Sequence, residues 1–140
     1  MAGLAGLITK VDHVGIAVED LDVAIEFYKS VFGFELQHRE ENVEQGVVEA
    51  MMAIGGSQTQ IQLLSPLTPD SAIAKFISNK GVGVQQVAYT VTSLDQAMQV
   101  CKELGIRMLF SEPKRGTKGS RINFAHPKDC GGVLVELVEH

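Results

Sequence analysis

Five polar side chains occupy positions where a buried strand should carry apolar ones. His13 lies within Val11-Asp12-His13-Val14-Gly15-Ile16-Ala17-Val18, and Gln62 within Gln60-Ile61-Gln62-Leu63-Leu64. Gln86 lies within Val84-Gln85-Gln86-Val87-Ala88-Tyr89-Thr90-Val91, and Glu136 within Val133-Leu134-Val135-Glu136-Leu137-Val138. A strand with a hydrophobic face does not place polar groups on it without a reason. One imidazole, two amide oxygens and one carboxylate make an acceptable shell for a divalent metal ion. The fifth residue, Glu49, interrupts Val47-Val48-Glu49-Ala50-Met51-Met52. A carboxyl there is either desolvated or reaches into a cavity; the alternative is a strand end open to water. Taken singly, such residues are more often structural: a hydrogen-bonded strand histidine, surface glutamines, a glutamate on the solvent face of an edge strand. It is their joint placement that points to chemistry.

The elements that position them repeat. Alternation and β-branched content predict a strand over 10–18, and Asp20 opens a helix whose inward residues are Leu21, Ala24, Ile25, Tyr28 and Phe32, closed by Gly33. Strands are expected over 34–38, 46–54 and 59–64, with 39–45 a loop or frayed strand end. A capped helix over 70–80 links to a second round: a strand over 84–91, a helix from Ser93 to Gly105, and strands over 106–110, 121–125 and 133–138. Asp12 to Val18 aligns with Gln85 to Val91, Leu21-Asp22 with Leu94-Asp95, and Ala24 with Ala97. The chain therefore reads as one α+β domain of two tandem βαβββ modules, about 8–66 and 83–140, joined by the linker helix and related by a pseudo-two-fold. Each half is expected to form a four-stranded antiparallel sheet with a helix on its outer face. The pseudo-two-fold pairs His13 with Gln86 and Gln62 with Glu136, and would bring all four to one axis.

Composition narrows the class. The chain has 140 residues, 45% of them hydrophobic and 21% charged, with a formal net charge of −5. That balance suits a globular domain and argues against a general nucleic-acid binder. No segment approaches the apolar length of a membrane span, and the start, Met1 to Leu7, is too short and uncharged for a secretory signal. Cys101 and Cys130 form neither a disulfide framework nor a metal clip, so free thiols in the cytoplasm are expected. The loop containing Lys114, Arg115, Lys118 and Arg121 is basic in an acidic chain. It either meets phosphates or is a solvated hairpin turn.

These residues resemble the vicinal oxygen chelate superfamily and, within it, the methylmalonyl-CoA epimerase family. The resemblance is carried by Asp12 to Val18, His38-Arg39-Glu40-Glu41-Asn42, Glu44-Gln45-Gly46-Val47-Val48-Glu49, Gln60 to Leu64, Arg121 to Lys128 and Gly132 to Leu137, and spans nearly the whole chain. It implies a curved mixed sheet around a metal-binding cleft. It also implies epimerisation of (R)- and (S)-methylmalonyl-CoA by proton removal and return at C2 through an enediolate-like anion. The family's metal ligands are His, Gln, His and Glu. Three map onto His13, Gln62 and Glu136, and the fourth position is Gln86 here. The proposed acid–base pair maps onto Glu49 and Glu136. The cofactor implied is a divalent ion, Co2+ foremost, with Mn2+, Mg2+, Ni2+ or Zn2+ as alternatives; the assembly implied is a homodimer. The competing expectations are a glyoxalase-like isomerase and a non-catalytic ligand-sequestering protein of the same fold. Glu49 separates the latter, because a pure binder needs no carboxyl there.

Overall fold

The computed structural model describes residues 3–140; Met1 and Ala2 of the segment weighed as a secretory signal lie outside them. Eleven principal elements follow in order: β1 (Ile8–Ala17), α1 (Leu21–Phe32), β2 (Glu35–Asn42), β3 (Val47–Ala53), β4 (Gln60–Pro66), α2 (Ala72–Lys80), β5 (Gly83–Val91), α3 (Leu94–Glu103), β6 (Lys114–Arg115), β7 (Arg121–Ala125) and β8 (Val135–Glu139). The architecture is α+β with mixed strands. The described residues divide into two compact units, 13–85 and 3–12 with 86–140, so the cut falls within β1 itself.

In unit 13–85 the strands lie in the order β2-β3-β4-β1. The β2–β3 and β3–β4 pairs are antiparallel, whereas β1 and β4 are parallel. The expectation of a purely antiparallel half is therefore corrected. Counting reversals gives the reason: α1 returns the chain so that β2 runs with β1, β3 runs against them and β4 runs with them again. A strand pairing β1 with β4 must then be parallel. Helix α1 starts at Asp20, whose carboxylate accepts from Val23 N, and ends at Gly33 with φ 72°. Its Leu21 and Ile25 pack on Ala50, Met52 and Leu63. The opposite face carries Ala17, Val47 and Leu64, covered by Ile73 of α2. Ser71 caps α2, its hydroxyl accepting from Ala74 N at 3.1 Å. A Cβ on Gly46 would lie 2.9 Å from Ser71 Cβ, so only glycine lets the β2–β3 turn pack against this cap. The segment expected to be a loop or frayed strand end at 39–45 is regular strand as far as Asn42, since β2 continues to Asn42 against Val47.

The other unit has the order β5-β8-β7-β6, with β5 and β8 again parallel and the remaining pairs antiparallel. Leu94, Ala97 and Cys101 of α3 pack on Val91 and Leu137. Ser93 caps α3 as expected, accepting from Gln96 N. The strand expected over 106–110 is reduced to a single bridge, Met108 to Ala125. Two side chains take over its ladder: Asn123 binds both the N–H and the C=O of Phe110, and Asp129 accepts from Arg107 N. Residues up to Asp12 join this unit through Thr92 N to Leu7 O and Thr90 Oγ1 to Asp12 Oδ2.

Candidate active site

In unit 13–85 the pleat sorts polar from apolar. Val48, Ala50, Met52, Ile61 and Leu63 face α1. The alternate residues of β1, β3 and β4 lie on the opposite face: His13, Glu49, Met51, Gln62 and Leu64, by the registers His13–Gln60, Met51–Gln62 and Glu49–Leu64. His13, Glu49 and Gln62 are each 3% exposed. Glu49 is thus buried rather than at a strand end open to water. Gln62 Nε2 donates to Glu49 Oε2 at 2.8 Å. This bond satisfies a buried carboxylate oxygen and turns the amide carbonyl of Gln62 away from it.

The second unit builds a similar pair from different strands. Gln86 and Glu136 are 4% and 5% exposed, and Gln86 Nε2 donates to Glu136 Oε1 at 2.7 Å. Both lie on the face away from α3, beside Ala88, Ile122, Val138 and Phe124. The carbonyl of Gln86 is again turned away from the carboxylate. The structure places His13, Gln62 and Glu49 on one face in the first unit, and Gln86 with Glu136 on one face in the second.

The residue types expected as ligands, one imidazole, two amides and one carboxylate, suit a hard or borderline cation, and within each unit the amide is oriented by its own N–H bond to a carboxylate. Among the described residues no three His, Cys, Asp or Glu side chains gather as a metal cluster. The candidate set contains only two residues of those types, His13 and Glu136, so its glutamines carry half of any ligation.

Two further ionisable side chains on the first face, Glu40 and His38, escaped the sequence reading. Glu40 of β2 stands directly opposite Glu49, and His38 Nε2 lies 2.6 Å from Glu40 Oε1. The His-x-Glu spacing on a strand was the available signal, but reading 39–45 as a loop or frayed strand end assigned Glu40 to no face. Asp12, beside His13, is also buried and is bonded by Thr90 and by His140.

The basic loop is built around Gly116, where a Cβ would come 2.6 Å from Ile122 Cγ2. Lys114 lies over the Phe110 ring at 5.7 Å, and Lys118 adopts φ 56°. Arg121 is committed to two carboxylates, Asp95 at 3.0 Å and Glu139 at 3.2 Å. A cavity of about 540 Å³ lies beside α3, lined by residues including Met98, Lys102, Arg107 and Phe110. Cys101 and Cys130 are free, and burial pushes both thiols up, so neither is an activated nucleophile. No helix among the described residues is long and apolar enough to cross a membrane.

Residues 12–124 match the family model of the glyoxalase/bleomycin resistance protein/dioxygenase superfamily. The chain is 41% identical over 137 residues to the mitochondrial methylmalonyl-CoA epimerase of Bos taurus, covering 97% of this chain and 77% of that protein. It is 38% identical over 133 residues to an ethylmalonyl-CoA/methylmalonyl-CoA epimerase of Cereibacter sphaeroides, covering 94% and 98%. The crystal structure of a Mycobacterium tuberculosis methylmalonyl-CoA epimerase superposes with a TM-score of 0.93 at 53% identity, over 95% of this chain and 89% of that one. A methylmalonyl-CoA epimerase solved with methylmalonyl-CoA and NH4+ gives 0.89 at 46% identity, over 94% of both chains. The buried strand-face carboxylates thus stand in a chain that belongs to the glyoxalase/bleomycin resistance protein/dioxygenase superfamily and, within it, to the methylmalonyl-CoA epimerases.

Proposed function

We propose that Glu49 and Glu136 are the proton-transferring pair through which this chain interconverts (R)- and (S)-methylmalonyl-CoA. The observation that carries the assignment is the buried Glu49 carboxylate, held by the Gln62 amide on an otherwise apolar strand face. A ligand-sequestering protein has no use for a desolvated carboxyl in that place.

The reaction removes the proton at C2, which lies between a thioester and a carboxylate, and returns one to the other face. It needs a base on each side of that carbon, and the two glutamates fill those roles, exchanging them with direction. Gln62 fixes the Glu49 carboxylate through one oxygen, so the other oxygen's direction is set before substrate binds. His13 and Gln62 from one unit, and Gln86 and Glu136 from the other, are the proposed ligands of a divalent cation. When bound, that cation supplies Lewis-acid stabilisation of the charge developing on the thioester oxygen and a template for the substrate carboxylate. Glu136 then serves both as ligand and as acid/base. With Gln86 in place of a second histidine, the ligand set is oxygen-rich, which favours harder ions than a two-histidine set would.

Lys114, Arg115 and Lys118, with Arg121 anchoring the root of β7, are the proposed cationic rim for the CoA phosphates. A single domain acting as a homodimer in the cytoplasm, where Cys101 and Cys130 stay reduced, completes the reading. The test is incubation with methylmalonyl-CoA in deuterium oxide, with and without chelator. Chelator-sensitive deuterium uptake at C2 with loss of stereochemistry is expected. No uptake with any divalent ion would return the chain to the binding class.

A further inference from the structure

A two-base epimerase finishes each turnover with its bases in the wrong states. After Glu49 has taken the C2 proton and Glu136 has supplied one, Glu49 is a carboxylic acid and Glu136 a carboxylate. A second turnover in the same direction requires Glu136 to regain a proton from water and Glu49 to give its proton to water, yet Glu49 is 3% exposed.

The strand opposite Glu49 carries a way out. Simple alternation would put Leu36, His38 and Glu40 on one face of β2. A register shift between Leu36 and His38 breaks it: Leu36 opposes Met52 in the α1-facing layer, while His38 opposes Met51 and Glu40 opposes Glu49. A bulge inserts one residue and re-aims the strand beyond it, here turning two ionisable side chains toward the face of Glu49 and Gln62. Residues directly opposite on antiparallel strands have Cβ atoms about 4.5–5.5 Å apart, and like charges there weaken the sheet. The sheet thus accepts both a bulge and a carboxylate pair to bring Glu40 to Glu49. His38 Nε2 is 2.6 Å from Glu40 Oε1, and side-chain exposure rises from 13% at Glu40 to 29% at His38.

We propose that Glu40 and His38 are the proton-return path of Glu49. The Glu49 carboxyl transfers its proton to the Glu40 carboxylate, directly or through one water. Glu40 passes it to Nε2 of neutral His38 in its Nδ1–H form, the imidazolium releases the proton on Nδ1 to solvent, and proton exchange with water moves the remaining ring proton from Nε2 back to Nδ1. Each step breaks one O–H or N–H bond and forms another, and the net change is Glu49–COOH plus water to Glu49–COO⁻ plus hydronium. Histidine suits the last place because each ring nitrogen can accept or donate a proton. Neither residue contacts substrate in this scheme; both act through Glu49.

The inference rests on the two-base reading, and its test separates the two. A slow recovery of free enzyme lowers kcat and leaves kcat/KM untouched, because kcat/KM begins from enzyme already in the reactive state. His38→Gln and Glu40→Gln in the metal-loaded enzyme are therefore expected to lose about tenfold or more in kcat. Their kcat/KM and single-turnover C2 exchange should stay within about twofold of wild type. Imidazole or another small buffer should restore kcat by carrying the proton instead. Glu40→Asp, which keeps the carboxylate, should retain most of the wild-type kcat and provides the comparison if a neutral variant folds poorly. Equal losses in kcat and kcat/KM without buffer rescue, or no change in either, would overturn the proposal. Failure of the wild-type protein to exchange C2 in a single turnover would instead sink the two-base reading itself.

Discussion

The two units use the same device, a glutamine amide donating to a buried carboxylate, in places that do not correspond. In unit 13–85, Gln62 of β4 opposes Met51 and Leu64 opposes Glu49. In the other unit, Glu136 of β8 opposes Phe124 and Val138 opposes Ile122. Matched by register, Gln62 corresponds to Glu136, Met51 to Phe124 and Glu49 to Ile122. The duplicated frame is preserved, but the carboxylate has moved from the third strand of one copy to the last strand of the other. The surroundings diverge accordingly. Glu49 faces Glu40 and, beyond it, His38, whereas Glu136 faces Phe124 within the cluster of Ala88, Ile122 and Val138. One carboxylate has ionisable neighbours leading outward; the other has the Gln86 amide and, across the ladder, the Phe124 ring. A frame repeated twice can hold two carboxylates in different protic settings, which a two-base reaction between unlike partners requires.

The comparison can be broken most severely at Glu49. Glu49→Gln keeps the shape and the bond to Gln62 while removing the base, and is expected to cost about 10²- to 10⁴-fold in C2 proton exchange, read by deuterium uptake. Full retention of exchange would end the assignment of the two carboxylates as a pair. Making the copies alike from the other side, Ile122→Glu places a carboxyl in the position matching Glu49 but inside an apolar cluster where Ile122 is 3% exposed. Urea unfolding should show a loss of about 3–5 kcal/mol, the cost of a buried charge without a partner. A near-neutral result would mean that the second face tolerates a base as well as the first.

Gln86→His restores a second imidazole at the position matching His13. Isothermal titration should show about tenfold tighter binding of Co2+ or Zn2+, with little gain for Mg2+. Unchanged affinities for all three would remove Gln86 from the ligand set. Charge reversal at Lys114, Arg115 and Lys118 together should raise KM by about tenfold with kcat nearly constant, the signature of lost uniform binding.

The smallest effect belongs to an ion pair of the second unit. Arg107 donates to Asp129 from its side chain and its backbone N, and these bonds hold the Asp129 carboxyl well below the usual carboxylate range. A carboxyl lowered on folding contributes stability above its unfolded value of about 3.8 and loses it as pH falls toward the folded value. The Tm of Asp129→Asn should therefore fall less than that of wild type between pH 6 and pH 2.5, by a degree or two. An identical fall would show that the pair is fully screened by water at the surface.

Much of the site was legible because buried strands are intolerant of polar groups. His13, Gln62, Gln86, Glu136 and Glu49 interrupt apolar alternation, and all five are buried. Asp20 and Ser93 announced their helices because a side-chain oxygen before an amphipathic run has backbone donors to satisfy. Other features depended on partners distant in the chain. The strand expected over 106–110 dissolved because Asn123 and Asp129 capture its backbone groups. β2 extended past His38 because β3 supplies a ladder for Arg39 to Asn42. Neither competition leaves a local pattern.

The sequence by itself determined which side chains must be reconciled with a buried face, and that two copies of one frame carry them, since periodicity and polarity are local properties. Only the tertiary structure decided which groups meet. The amide–carboxylate bonds join residues 13 and 50 positions apart, and the opposition of Glu40 to Glu49 depends on a one-residue register shift in β2. Register is a property of two strands at once, so no reading of either strand alone contains it.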